Sequence, residues 1–310
     1  MIKITSDYGI IGAKDDHRSG SLPLHHPNIP QSLLRFLIMC LLLVPLLTAC
    51  TPSDPPEVVK ITKSNSTIEC PNGVFNQGKK TELQLRSSSQ QQLHNVTGSD
   101  CLVNGSIRTI GLARTGEGRK LRVSSRRDAN HTARAQAAAP TDIHLKRFRI
   151  VADNQIPVYL GPGTTNFTLE DSVLDGISPV VAAYFDAESA HNTFDNVTVK
   201  TRTRREMLAL DGSANNTFKQ LTLKHPQKQA ILLYRNCGEG GTVRHQTPSN
   251  NSFFDTTIFS DKPLEDLIIE NSRNGNRDYC EDDAGFPWGS SASNADGGKN
   301  NVFRRTSVVK

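Results

Sequence analysis

Between Arg235 and Trp288 the chain carries most of the side chains that could do chemistry. Arg235, Arg244, His245 and Arg277 can pair carboxylates or sulfates. Glu239, Asp278, Glu281, Asp282 and Asp283 can bind hydroxyls, protons or Ca²⁺. Tyr279, Phe286 and the single Trp, Trp288, offer flat faces on which a pyranose ring could stack. This is equipment for handling an anionic sugar. Proton abstraction beside a uronate carboxylate needs a base and a cation, with Arg244 or His245 as candidate base and Arg235 as candidate neutraliser. Arg277, Asp282 and Trp288 complete the candidate substrate contacts. An alternative role for Trp288 is to seal the end of the fold, together with Phe286 and Pro287.

The elements that must hold these residues repeat along the chain. Leu145, Leu169, Phe194 and Phe218 recur at intervals of 24, 25 and 24 residues. Each opens a pattern with an apolar residue five places later and, except after Leu169, another three places later, as in Phe194-Asp-Asn-Val-Thr-Val199. Phe253 and Phe303 continue the series, and Ile107-Arg-Thr-Ile-Gly-Leu112 is expected to be a looser copy. The alternation in Val197-Thr-Val199 and Leu221-Thr-Leu223 is strand periodicity, with β-branched Thr facing out. A second apolar run follows in each unit: Val158–Leu160, Val180–Tyr184, Met207–Leu210, Ile231–Tyr234 and Leu267–Ile269. Gly, Asn and Asp fill the turns and leave no room for helical repeats. Such a period implies stacked coils, none able to bury its apolar face alone.

Asn192, Asn216, Asn251 and Asn301 each stand two residues before the leading apolar residue, with Asn166 one place off. Stacking would put these amides in a column. In its repeat the chain resembles, from about Ile107 to Lys310, the right-handed parallel β-helix superfamily of the pectate lyases. The resemblance implies an all-β right-handed solenoid of roughly seven rungs, with residues 57–106 as N-terminal cap and first rung. It also implies a polysaccharide ligand without specifying a reaction. Of the N-T-D, G-D-D, G-H-G and R-I-K motifs of the related hydrolases, only Asp282-Asp283, preceded by Glu281, comes near one. The D-P-H-D motif of mannuronan epimerases is absent too.

The N-terminal text gives an address. Arg35, an apolar run from Phe36 and the exit Leu47-Thr-Ala-Cys50 form an export signal resembling a lipobox, with Cys50 as the acylated residue. Thr51, in place of the Asp that retains lipoproteins at the inner membrane, points to the outer membrane, facing the periplasm or the cell surface. The expected organisation is an extension and signal at 1–49, a Pro-rich tether at 50–56 and one solenoid domain at 57–310. Four cysteines then remain in an oxidising compartment: Cys70, Cys101, Cys237 and Cys280. Three pairings are open, and neighbourhood favours Cys70–Cys101 with Cys237–Cys280.

No C-x-x-C or paired-His spacing suggests a metal centre, and no motif requires a cofactor beyond the Ca²⁺ those acids could hold. The basic stretch from Arg114 to Ala139 reads as a solvated loop with a short helical turn, or as a patch for an anionic polymer or lipid head groups. Nucleic acid does not suit this address. The turn after the second apolar run swells at 235–250 and at 270–300, so both insertions must project from one flank. Two function classes follow: a lyase- or epimerase-type protein binding or processing an acidic envelope polysaccharide, or a non-catalytic scaffold docking a partner through these loops.

Overall fold

The computed structural model describes residues 54–88, 90–111, 118–235, 244–270 and 298–310, with the backbone alone at 118–122. Strand accounts for 48% and helix for 11%, in one large parallel sheet, so the chain is all-β and folds as a parallel β-helix. One face stacks a single strand per coil: Glu57–Ile61, Thr81–Arg86, the 105–110 end of His94–Ile110, Val158–Leu160, Ala183–Phe185, Leu208–Asp211, Ile231–Tyr234 and Ile268–Glu270. The other face carries two short strands per coil, such as Thr193–Asp195 followed by Thr198–Val199. Leu169, Phe194, Phe218, Phe253 and Phe303 lie in register there, as do Leu174, Val199, Leu223, Ile258 and Val308. Most of these side chains are fully buried.

The corners explain the turn composition. Asn166, His191, Asn215, Asn250 and Asn300 sit in the left-handed region on one side of the leading strand. Asp171, Asn196, Gln220, Asp255 and Arg305 do so on the other. Asn and Asp tolerate that conformation better than other non-glycine residues. Their side chains then bond coil to coil, as Asn166 to Asp142 (3.1 Å) and Asn196 to Asp171 (2.8 Å).

The asparagine column is present inside the fold. The side-chain oxygen of Asn216 accepts both the backbone and the amide N–H of Asn192, each at 3.0 Å. Asn251 does the same for Asn216, and Asn301 for Asn251. Each buried amide thereby satisfies the coil below, which is the condition for keeping a polar column inside.

Two expectations need correction. Ile107 does not open a repeat of the leading type; it pairs with Leu83 and Val158 on the single-strand face. The residue facing Leu145 in the leading column is Gly98, where a Cβ would come within 2.9 Å of Phe148. Phe148 fills that space, so the leading residue of this coil has no side chain to recognise. Residues 57–86 are themselves coils, since Glu57–Ile61 pairs with Thr81–Arg86 and Ser66–Ile68 with His94–Ile110. In the first of these coils Val58 is exposed, and Val59 and Ile61 are partly buried against the core. Cys70 and Cys101 are disulfide-bonded, Cα–Cα 5.6 Å, tying that coil to the next. Cys237 and Cys280 lie outside the described residues, and Cys50 does too.

The basic excursion contains two helices, Gly118–Arg127 and His131–Ala137. It leaves the coil at the same corner as the 235–250 and 270–300 insertions. Far from being a solvated loop throughout, it buries Ser124, Ser125, His131 and Ala135. Gly163 lets it dock: its φ is +80°, and a Cβ there would lie 2.3 Å from the Ala135 carbonyl oxygen.

Candidate functional site

The corner between the single-strand face and the asparagine column holds a buried polar cluster. Side chains alternate along a strand, so Tyr184 and Asp186 leave the coil on the same, outward side. Tyr159 lies beside Tyr184 in register, with rings stacked at 5.5 Å. Asp211 follows Leu210 as Asp186 follows Phe185, which puts the two carboxylates on adjacent coils. The Tyr159 hydroxyl donates to Asp186, and Tyr184 donates to Asp211 at 2.6 Å. Tyr234 donates to the Tyr184 oxygen at 3.2 Å.

Arg244 closes this row from the 235–250 insertion. Its Nη2 is 3.5 Å from Asp186 Oδ1 and its Nε 3.3 Å from Asp211 Oδ1. Arg235 Nη1 donates to the Arg244 carbonyl at 3.4 Å. Both arginines are buried, each 8% exposed. Burial works against the charge on Arg244, but Asp211 and Asp186 outweigh it and hold the guanidinium protonated. A proton-acceptor role for Arg244 is therefore incompatible with its surroundings; neutralisation and positioning suit it. Burial pushes the Asp186 carboxyl up, against the pull of Arg244. The Tyr184 and Tyr234 phenols are pushed up by burial and by Asp211, which keeps them as donors.

Glu188, buried and left-handed at φ 62°, joins the three segments. It accepts from Thr132 Oγ1 of the helical excursion (2.5 Å), from the His245 N–H (2.6 Å) and from the Gln246 N–H (3.2 Å). Gln246 in turn donates to the carbonyls of Ser189 (2.8 Å) and Gly212 (3.0 Å). His245 Nε2 donates to the Ser125 carbonyl at 2.7 Å, which places a ring proton on Nε2. The His131 ring packs at 4.7 Å from His245 and bonds Ser124 Oγ through Nδ1 (2.8 Å). Burial pushes the Glu188 carboxyl up, and its three donors oppose that.

His131 makes this corner acid-sensitive. Burial first, then the neighbouring His245 and more weakly Arg134, lower its pKa from 6.5 to about 4, against Asp128. The folded chain thus holds His131 neutral, while the unfolded chain takes up a proton below pH 6.5. Stability from this group is complete above pH 6.5 and falls as the pH drops toward about 4. The melting temperature of the native chain is expected to fall more between pH 7 and pH 4.5 than that of His131→Gln. Parallel losses in the two proteins would show that His131 is not the sensitive group.

The structure therefore brings together Arg235, Arg244 and His245. Arg277, Asp282 and Trp288 lie outside the described residues. The sequence alone does not single out Asp186, Glu188, Asp211, the three tyrosines, His131 or Thr132. One signal was available: Asp186-Ala-Glu-Ser189 and Asp211-Gly-Ser213 put an Asp and a Ser at equivalent places in consecutive coils, and Ser189 Oγ donates to Ser213 Oγ at 2.7 Å. Among the described residues no group of three or more His, Cys, Asp or Glu side chains could hold a metal ion, and the candidate Ca²⁺ ligands Glu239, Asp278, Glu281, Asp282 and Asp283 lie outside them. No protein-family model, characterised protein or solved structure matches the chain.

Proposed function

We propose that this protein is an exported, lipid-anchored β-helix that binds and processes an acidic cell-envelope polysaccharide at the 186–188, 211 and 244–245 corner. The observation that carries the reading is the pair of buried carboxyls with raised pKa beside a fixed arginine and a histidine. Burial that keeps a carboxyl ready to give a proton, next to a base, is the usual equipment of acid–base catalysis. Groups perturbed in this way concentrate at functional sites. In the lyase version, His245 Nδ1 takes the C5 proton of a uronate and Arg235 with Arg244 offsets the charge on its carboxylate. The C4–O bond then breaks, and the leaving oxygen takes a proton from a carboxyl such as Asp186. An epimerase would instead return a proton to C5 from the opposite face. The lipid anchor rests on Leu47–Cys50 and the outer-membrane address on Thr51.

The test uses the full-length chain in detergent with polygalacturonate, alginate and chondroitin sulfate. Absorbance of the unsaturated product reports elimination, and proton NMR reports inversion at C5. Expected is turnover of at least one polymer, reduced by about 10²-fold or more in His245→Ala, the usual size of a general-base contribution. One feature favours the scaffold reading instead: Glu188 spends its carboxylate on joining three chain segments. Binding without turnover for every polymer would replace catalysis with that role.

A further inference from the structure

A second charged surface runs along the opposite edge of the coils, where the two-strand face turns back to the single-strand face. On one coil this turn presents Lys200, Arg202 and Arg204, all exposed. The next coil adds Lys224 and Lys228, and the one after adds Lys262. Val199 is in register with Leu223, so Lys200 and Lys224 are stacked neighbours. Lys224 Nζ lies over the Phe259 ring at 5.2 Å, and Lys262 Nζ is held by the carbonyls of Gln227 (2.8 Å) and Lys228 (3.1 Å).

Opposite charge is scarce on the first two of these coils. The turns 200–206 and 224–229 hold no exposed carboxylate, because Glu206 is buried beside Arg205, whereas the turn 260–267 exposes Asp261, Glu265 and Asp266 beside Lys262. On the adjoining sheet face many charges are paired, as in Lys146 and His144 with Glu170, and Arg149 with Asp175. Lys200, Arg202, Arg204, Lys224 and Lys228 thus form a cationic strip one turn wide across two coils. A pocket of about 290 Å³ lies at its C-terminal end, lined by His225, Ser260, Asp261, Lys262 and Lys310.

We infer that this strip is a docking track for a linear polyanionic glycan lying parallel to the solenoid axis, separate from the Glu188 corner. Successive coils of a parallel β-helix rise about 4.7–4.9 Å. A polyuronate carries one carboxylate per sugar ring, a repeat of the same order, so each coil can meet one anionic sugar. A membrane surface would demand a broad cationic face, and the acids on the adjoining sheet face oppose that. The pocket, where two lysines, a histidine and a hydroxyl accompany the Asp261 carboxylate, suits a single sugar acid at the end of the track. The ligand class rests on the reading given above, but the residues are independent of it.

The full-length chain in detergent is tested for binding to immobilised polygalacturonate, with uncharged dextran as control and phosphatidylglycerol vesicles as the lipid arm. The native chain is expected to bind polygalacturonate and not dextran, and to lose affinity as NaCl rises from about 50 to about 200 mM. Combined Arg202→Glu, Arg204→Glu and Lys228→Glu changes should weaken binding about tenfold or more. They should leave the melting temperature and turnover of short oligogalacturonides as in the native chain. Undiminished polymer binding by the triple variant overturns the track, and so does native binding to vesicles alone or to neither surface. If turnover fails while strip-dependent binding persists, only the catalytic reading falls.

Discussion

Arg244→Ala is expected to lower unfolding free energy by about 3–5 kcal/mol, the usual result of removing one partner from a buried ion group. The cost comes less from the lost attraction than from what remains. Asp186 and Asp211 stay buried on adjacent coils, with no guanidinium between them, and like charges that close cannot both stay ionised without penalty. Tyr159 and Tyr184 each still donate one hydrogen bond, which is too little to replace a full positive charge. Urea titration at pH 7 measures the effect. Adding Asp186→Asn and Asp211→Asn to Arg244→Ala should recover a large part of the loss, because no buried charge is then left alone. A loss below about 1 kcal/mol for Arg244→Ala, the range of exposed pairs, would mean that water reaches the two aspartates. Arg244→Lys should recover only part, since an ammonium cannot present the fork that spans two coils.

The second large effect is expected at Phe218. Its ring is fully buried and packs against Phe253 at 4.4 Å, Phe185 at 5.3 Å and Phe194 at 5.8 Å. Phe218→Ala should therefore cost about 3–5 kcal/mol, the transfer energy of the ring plus the cavity it leaves. Thr222→Ala, four residues on and facing outward, should cost less than about 1 kcal/mol, as expected for a surface change away from special features. Phe303 belongs to the same column but is only partly buried. Its truncation should cost less than that of Phe218, because less of its apolar surface is removed from water. Equal losses at Phe218 and Thr222 would refute the inward and outward assignment.

Much of this fold was legible because a solenoid stacks each coil on its sequence neighbours. A residue facing its equivalent one coil away must recur at the length of the coil, so Phe194, Phe218 and the column Asn192–Asn216–Asn251–Asn301 could be read from spacing. The Cys70–Cys101 pairing followed from the same proximity. Periodicity fails where packing substitutes for a side chain. Gly98 holds a leading position with none of its own, since Phe148 occupies the space, and the first coils were hidden as a result.

The candidate site was legible only in part. Arg235, Arg244 and His245 drew notice because they sit in an insertion that breaks the period. Asp186 and Glu188 lie in an ordinary short turn, and nothing in their text marks them. Tertiary structure gives them their place: Thr132 is 56 residues from Glu188, His245 is 57, and the carbonyl that receives His245 Nε2 is 120 residues before it. Such separations follow no repeat, because insertions vary freely in length once they leave the coil. The local sequence thus determined the column of coils and the flank from which the loops leave it. Which side chains those loops bury together, and hence which carboxyls and which histidine lose their water, was decided by the docking of the excursion and the 244–246 segment onto one corner.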